Sequence, residues 1–84
     1  MHYVYVLQSL KDGGFYTGYT ENIQKRILEH NKGQVFSTKS RAPFKIIYFE
    51  GCLYVKDAYN REKYLKSGMG KRYVKNRLKF FFEL

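Results

Sequence analysis

The chain has 84 residues, with sixteen Lys and Arg against seven Asp and Glu, a formal net charge of +9 and 19% aromatic residues. So short a chain excludes a second domain and leaves a modest core, to which each buried ring adds a large area. Cys52 is the only cysteine, which excludes a disulfide within the chain, and with His2 and His30 the only histidines a structural zinc site lacks ligands.

The charge is the first functional signal. A basic face favours a polyanion, most simply nucleic acid, because phosphate contacts release counterions. Aromatics interleaved with Lys and Arg suit nucleic acid better than a membrane surface. Solvated lysines that merely keep the protein soluble are the plain alternative. The apolar run Tyr3 to Leu7 is too short for a signal peptide or a membrane span. A soluble, cytoplasmic protein is expected.

Taken in order, Tyr3 to Leu7 reads as a strand apolar on both faces, Tyr3, Tyr5 and Leu7 on one and Val4 and Val6 on the other. Asp12-Gly13 reads as a hairpin turn with a bulge available at Gly14, and Phe15 to Tyr19 as the return strand. A two-residue turn would set Leu7 against Gly18 and Tyr5 against Thr20. Tyr5 and Tyr16 would then share a face but stand roughly 13 Å apart along it. Thr20 is the expected N-cap of a helix running to about Asn31 and stopping near Gly33, with Glu21 in its first turn. Ile23 and Ile27 mark its buried stripe, flanked by Arg26 and His30.

Lys32 to Ala42 reads as a basic loop, ended by Pro43. Phe44 to Phe49 follows as a third strand, with Gly51-Cys52 a connection, and Leu53 to Lys66 as a second helix. Gly68 is the expected C-cap of that helix, and a third helix is expected over about Lys71 to Phe82, with Val74, Leu78 and Phe81 at helical spacing. The fold class is α+β: one domain over 1–84, a small three-stranded antiparallel sheet flanked by helices, in the order ββαβαα. Cover on both faces of the sheet suits a monomer or a weak homodimer.

One residue is out of place. The second helix buries a stripe through Tyr54, Val55, Ala58 and Leu65, and Glu62 falls within it. A carboxylate on a partly buried face is costly unless compensated. A salt bridge to Arg61 or Arg26 would do this, and so would a metal ion.

These residues together resemble the GIY-YIG nuclease superfamily, and in particular its small stand-alone bacterial members of the UPF0213/YhbQ-like kind. The first signature stands as Tyr3-Val4-Tyr5 and the second as Tyr16-Thr17-Gly18. The helix arginine matches Arg26, and the metal-binding glutamate matches Glu62 within "AYNREKYLK". The small-protein subgroup shows in "RILEHNKG" and "STKSRAPFK". Tyr3 stands in place of the first glycine and Thr17 in place of the middle isoleucine, neither of which carries chemistry in the family. Asn76 is the candidate for an asparagine that many members carry after the glutamate.

The resemblance implies a GIY-YIG endonuclease-like fold and hydrolysis of nucleic-acid phosphodiester bonds, DNA ahead of RNA, in repair or recombination. It implies one divalent ion, Mg2+ or Mn2+, with Glu62 as its protein ligand and water in the rest of the shell. Arg26 would grip the phosphate. Tyr5 or Tyr16 would accept the proton of the attacking water, the other orienting water or phosphate. Cations nearby would favour the phenolate and lower its pKa. Gly18 would permit close approach. His30 would contact phosphate, assist proton transfer or simply pack. Lys39 and Arg41 would touch the nucleic-acid backbone or face solvent. Protein partners would supply specificity that so short a chain lacks. The competing reading is a nucleic-acid-binding accessory module with this fold and little cleavage.

Overall fold

In the computed structural model, residues 1–83 are described. Three antiparallel strands form one sheet in the order β2-β1-β3: β1 His2–Ser9, β2 Phe15–Thr20 and β3 Phe44–Cys52. The helices are α1 Ile23–Asn31, α2 Val55–Leu65, α3 Gly68–Arg77 and a short α4 Lys79–Phe82. The order ββαβαα therefore stands, with the last helix divided.

β1 is central because it is apolar on both faces. Val4 and Val6 are buried against Ala58 and Leu65 of α2 and Val74 of α3. Tyr5 and Leu7 are buried on the other face with Phe44, beside Ile27 of α1. Each fully buried large apolar side chain stabilises the fold by about 1.5–3 kcal/mol. The sheet thus has α1 on one side and α2 with α3 on the other. β2 lies at its edge.

The hairpin departs from the two-residue turn. Tyr5 lies opposite Gly18, and Leu7 opposite Tyr16. The turn is longer because its own polar groups close it. The Ser9 hydroxyl accepts from the amides of Lys11 and Asp12, the Asp12 carboxylate accepts from the Gly14 amide, and Gly13 supplies a φ of 75°. The shift is by two residues, so every side chain keeps its expected face. Tyr5 and Tyr16 are brought together as a result, with ring centroids 6.4 Å apart.

Other boundaries move for equally local reasons. Asn22, not Thr20, caps α1, accepting from the Lys25 amide, while Thr20 holds the Asn22 amide in the preceding turn. Glu21 therefore lies outside the first turn of the helix. β3 continues through Gly51-Cys52, which pair with Tyr3 and His2. Gly68 opens α3 instead of closing α2, because the Ser67 hydroxyl caps the new helix by accepting from the Gly70 amide. The expected third helix breaks at Leu78, where the backbone leaves helical geometry. Tyr54 precedes α2 as its N-cap position and is exposed, so it is not part of the buried stripe.

The expected basic loop is partly built into the core. Val35 and Thr38 are buried, and Lys39–Arg41 forms a 3-10 turn. Its ends are fastened by Ser9, which donates to the Arg41 carbonyl at 2.7 Å, and by Asn31, whose side chain bonds both the amide and the carbonyl of Phe44. Cys52 is a free, half-buried thiol packed beside the Val4 and Val6 cluster.

Candidate active site

The candidate site lies across the free edge of the sheet, at β2. Tyr5 projects from the central strand and lies over Gly18. A Cβ at Gly18 would overlap the Tyr5 hydroxyl and stand 2.6 Å from its Cζ and 3.1 Å from a carbon of Tyr16. Glycine is thus required here for space, so that a phenol from the middle of the sheet can reach the edge.

α1 supplies the residues above that hydroxyl. His30 Nε2 is 2.9 Å from Tyr5 Oη, and His30 Nδ1 is 2.8 Å from Thr38 Oγ1. The His30 ring also meets the Tyr16 ring edge-on, with centroids 5.1 Å apart. His30 and Thr38 are both fully buried, and Tyr5 is 2% exposed. His30 therefore stands behind Tyr5 and has no surface of its own to offer a phosphate. The Thr38 hydroxyl faces the Val35 carbonyl at 3.4 Å as well as His30. Donation to that carbonyl leaves Thr38 Oγ1 to accept from Nδ1–H and leaves Nε2 as the acceptor of the Tyr5 proton.

Burial governs the protonation of this cluster. It pushes the Tyr5 phenol up to about 12, an effect that the neighbouring Arg26 guanidinium opposes and Tyr16 and Glu62 reinforce. Arg26 lowers the phenol as expected, but in the protein alone desolvation of the phenolate outweighs it. Burial likewise holds His30 below its ordinary value, assisted by the charge of Arg26. The histidine is neutral at pH 7.

Arg26 and Glu62 reach the site from opposite sides of the sheet. Arg26, on α1, is paired with Glu29 at 3.1 Å and remains partly exposed. Burial pulls its pKa down, but its contacts with Tyr5 and Glu29 more than restore it. Beside it, Tyr19, Thr20, Asn22, Lys25 and Glu29 line an open hollow of about 460 Å3. Glu62 comes from α2, on the far face, near enough for its charge to act on the Tyr5 hydroxyl. Its side chain is 23% exposed and pairs with Lys66 at 3.2 Å. Neither expected partner holds it: Arg61 turns to Glu50 at 2.8 Å, and Arg26 to Glu29.

A divalent ion fits this donor set in one form only. Among the described residues no three His, Cys, Asp or Glu side chains gather into a metal cage. A single partly exposed carboxylate, paired only with a lysine at the surface, suits Mg2+, which keeps most of its water and takes one or two carboxylates.

The remaining sequence candidates stand apart from this cluster. Arg41 pairs with Asp12 at 2.9 Å and donates to the Phe15 carbonyl, so it braces the hairpin. Lys39 is exposed and lies over the Phe36 ring. Asn76 borders a separate hollow on α3 with Tyr64, Met69, Arg72 and Tyr73. Thr38 was not singled out in the sequence. Its only trace was Val35-Phe36, an apolar pair inside a polar stretch.

A three-stranded antiparallel sheet flanked by helices, with Tyr5 and Tyr16 packed together over Gly18 and Arg26 beside them, is the arrangement of a GIY-YIG domain. Residues 1–79 match the GIY-YIG catalytic domain, and the chain belongs to that family of nucleases. It is 45% identical over 67 residues to the UPF0213 protein CPE1444 of Clostridium perfringens, covering 79% of this chain and 71% of that one. It is 42% identical to a UPF0213 protein of Staphylococcus saprophyticus, covering 79% and 80%. The solution NMR structure of the UPF0213 protein BH0048 from Bacillus halodurans superimposes with a TM-score of 0.56 at 32% identity, over 92% of this chain and 84% of that one. No helix among the described residues is long and apolar enough to cross a membrane.

Proposed function

We propose that this chain is an endonuclease that hydrolyses nucleic-acid phosphodiester bonds, DNA ahead of RNA, with one divalent ion, Mg2+ or Mn2+, at Glu62. The observation that carries the reading is the packing of Tyr5 against Tyr16 over Gly18, with Arg26 beside the Tyr5 hydroxyl and the charge of Glu62 acting on it from the other face. The ion would polarise the phosphate and stabilise the leaving oxygen. Arg26 offers its remaining donors to the non-bridging oxygens, Glu29 holding the guanidinium in place. Among the described residues, Tyr5 alone of the two tyrosines has a side-chain acceptor for its proton, the neutral Nε2 of His30. Proton acceptance from the attacking water is therefore assigned to Tyr5, and orientation of water or phosphate to the half-exposed Tyr16.

Repair or recombination of DNA is the setting that structure-directed cleavage by so small a domain would serve. Cleavage of supercoiled plasmid, branched DNA, single-stranded DNA and RNA, in Mg2+, Mn2+ or EDTA, tests the reading. Glu62→Gln is expected to keep binding and lose about a thousandfold or more in rate. Undiminished cutting by Glu62→Gln would remove the proposed metal site. Salt-sensitive binding with no cutting by the wild type would leave the accessory binding module instead.

A further inference from the structure

The stretch Lys63 to Lys79 holds seven of the sixteen Lys and Arg and no Asp or Glu. Two open hollows lie where this stretch faces β2. One, of about 210 Å3, is lined by Phe15, Tyr16, Thr17, Lys66 and Lys71. The other, of about 350 Å3, is lined by Gly14, Phe15, Lys71, Lys75 and Phe82. They share Phe15 and Lys71, so they form one groove. Tyr16 and Lys66 join it to the candidate site, because Lys66 is the partner of Glu62 and Tyr16 packs on His30.

The geometry explains the arrangement. Lys71 and Lys75 are one helical turn apart and lie together to one side of Val74, whose burial anchors α3 against the sheet. Both side chains are thereby held along the edge of β2. Neither has an acidic partner within reach among the described residues, whereas Arg26, Arg41 and Arg61 are each neutralised by one. The groove is also aromatic: Phe15 and Phe82 meet with ring centroids 5.7 Å apart. Two unpaired lysines one helical turn apart, beside an aromatic pair, fit a strand whose phosphates alternate with flat bases.

We propose that this groove between β2 and α3 carries one single strand of nucleic acid away from the cleavage site, with Lys66, Lys71 and Lys75 on its phosphates and Phe82 under a base. The proposal rests on the nuclease reading for the strand's starting point, not for its binding. Across the site, the hollow beside Lys25 and Arg26 lies at the other end of β2, so the strand would run along the whole edge.

Fluorescence anisotropy with a short single-stranded oligonucleotide in EDTA measures the groove without cleavage. Lys71→Ala/Lys75→Ala is expected to lose at least about tenfold in affinity at low salt, and to lower the salt slope by about 1.4, two phosphates' worth. The charge-matched pair Lys32→Ala/Lys56→Ala, exposed elsewhere, should change affinity by less than about threefold. Phe82→Ala should cost about fivefold or more. In the wild type, NMR titration should shift the amides of Gly14, Phe15, Lys71 and Lys75, a readout independent of how any variant folds. Equal losses in the two lysine pairs, no shifts along the groove, or no binding at all would overturn the proposal. Cutting that survives alongside any of these would leave the nuclease reading intact. Binding in the groove by a wild type that never cuts would overturn that reading alone.

Discussion

The two sides of the candidate site are built on opposite principles. On the α1 side, Tyr5, His30 and Thr38 form a dry chain of hydrogen bonds with almost no exposed surface. On the α2 side, Glu62 is partly solvated and held only by a lysine one turn away. The first arrangement fixes direction: burial and a second hydrogen bond leave the histidine one orientation. The second permits exchange, because a surface ion pair of this kind is worth little and a lysine swings aside easily. The proposed activity, which would both aim a proton acceptor and load an ion, calls for one side of each sort.

The comparison can be broken most severely at Gly18. In Gly18→Ala the new methyl meets the Tyr5 hydroxyl, so either the phenol or the edge strand must move. A displacement of about 1 Å at a reacting group costs on the order of a hundredfold in rate. Overpacking adds about 1–3 kcal/mol of destabilisation. Plasmid cleavage and chemical denaturation read the two effects separately, and an unchanged rate would mean that Tyr5 need not occupy this position.

Thr38→Val sharpens the role of the buried side. It removes the partner of His30 Nδ1 and leaves that atom unpaired, at about 1–3 kcal/mol by denaturant titration. Nitrogen chemical shifts of the histidine ring should show the wild type in the Nδ1–H tautomer and the variant in a mixture. Thr38→Ser, which keeps the hydroxyl, should restore both readouts.

The dry side should also show itself in the pH dependence of stability. His30 is held below its ordinary value of about 6.5, so the unfolded chain takes the proton first on acidification. Its contribution is complete above about pH 6.5 and is lost as pH falls through the depressed folded value. Tyr5, raised from 10.0 to about 12, behaves in reverse. Its contribution is complete below about pH 10 and is lost as pH rises toward 12. Thermal melts should therefore plateau between these limits, with the acid slope diminished in His30→Gln and the alkaline slope in Tyr5→Phe. On the wet side, Lys66→Ala should cost no more than about 0.5 kcal/mol, the usual worth of such a pair. A larger loss would show that Glu62 is clamped rather than poised.

How much of this was legible in the sequence varies with the range of the forces involved. β1 was readable as a strand covered on both faces because five consecutive apolar residues leave no solvent face, and the fate of Val4 and Val6 against Tyr5 and Leu7 followed from alternation alone, whereas its place between β2 and β3 came only with the structure. Glu62 stood out for the same reason: a carboxylate at a buried helical position has to find a partner. Its partner is neither of the two arginines the sequence suggested but Lys66, which stands four residues on and so on the same face of the helix. The hairpin register hung on hydrogen bonds from Ser9 and Asp12 inside the turn, and it decided whether Tyr5 and Tyr16 share a site. Helix ends moved by a few residues because Asn22 and Ser67 offered better-placed capping oxygens than Thr20 and Gly68 allowed for.

The sequence by itself thus determined the strands and helices, the two faces of β1 and the order of the elements, because periodicity and burial are properties of neighbours along the chain, while the candidate site residues came from the family resemblance. The tertiary structure alone decided that Thr38 backs His30, that burial raises the Tyr5 phenol against the pull of Arg26, and that Lys71 and Lys75 line an aromatic groove beside β2. Each of these joins segments distant in sequence, through desolvation and hydrogen-bond geometry that exist only once the helices have closed on the sheet.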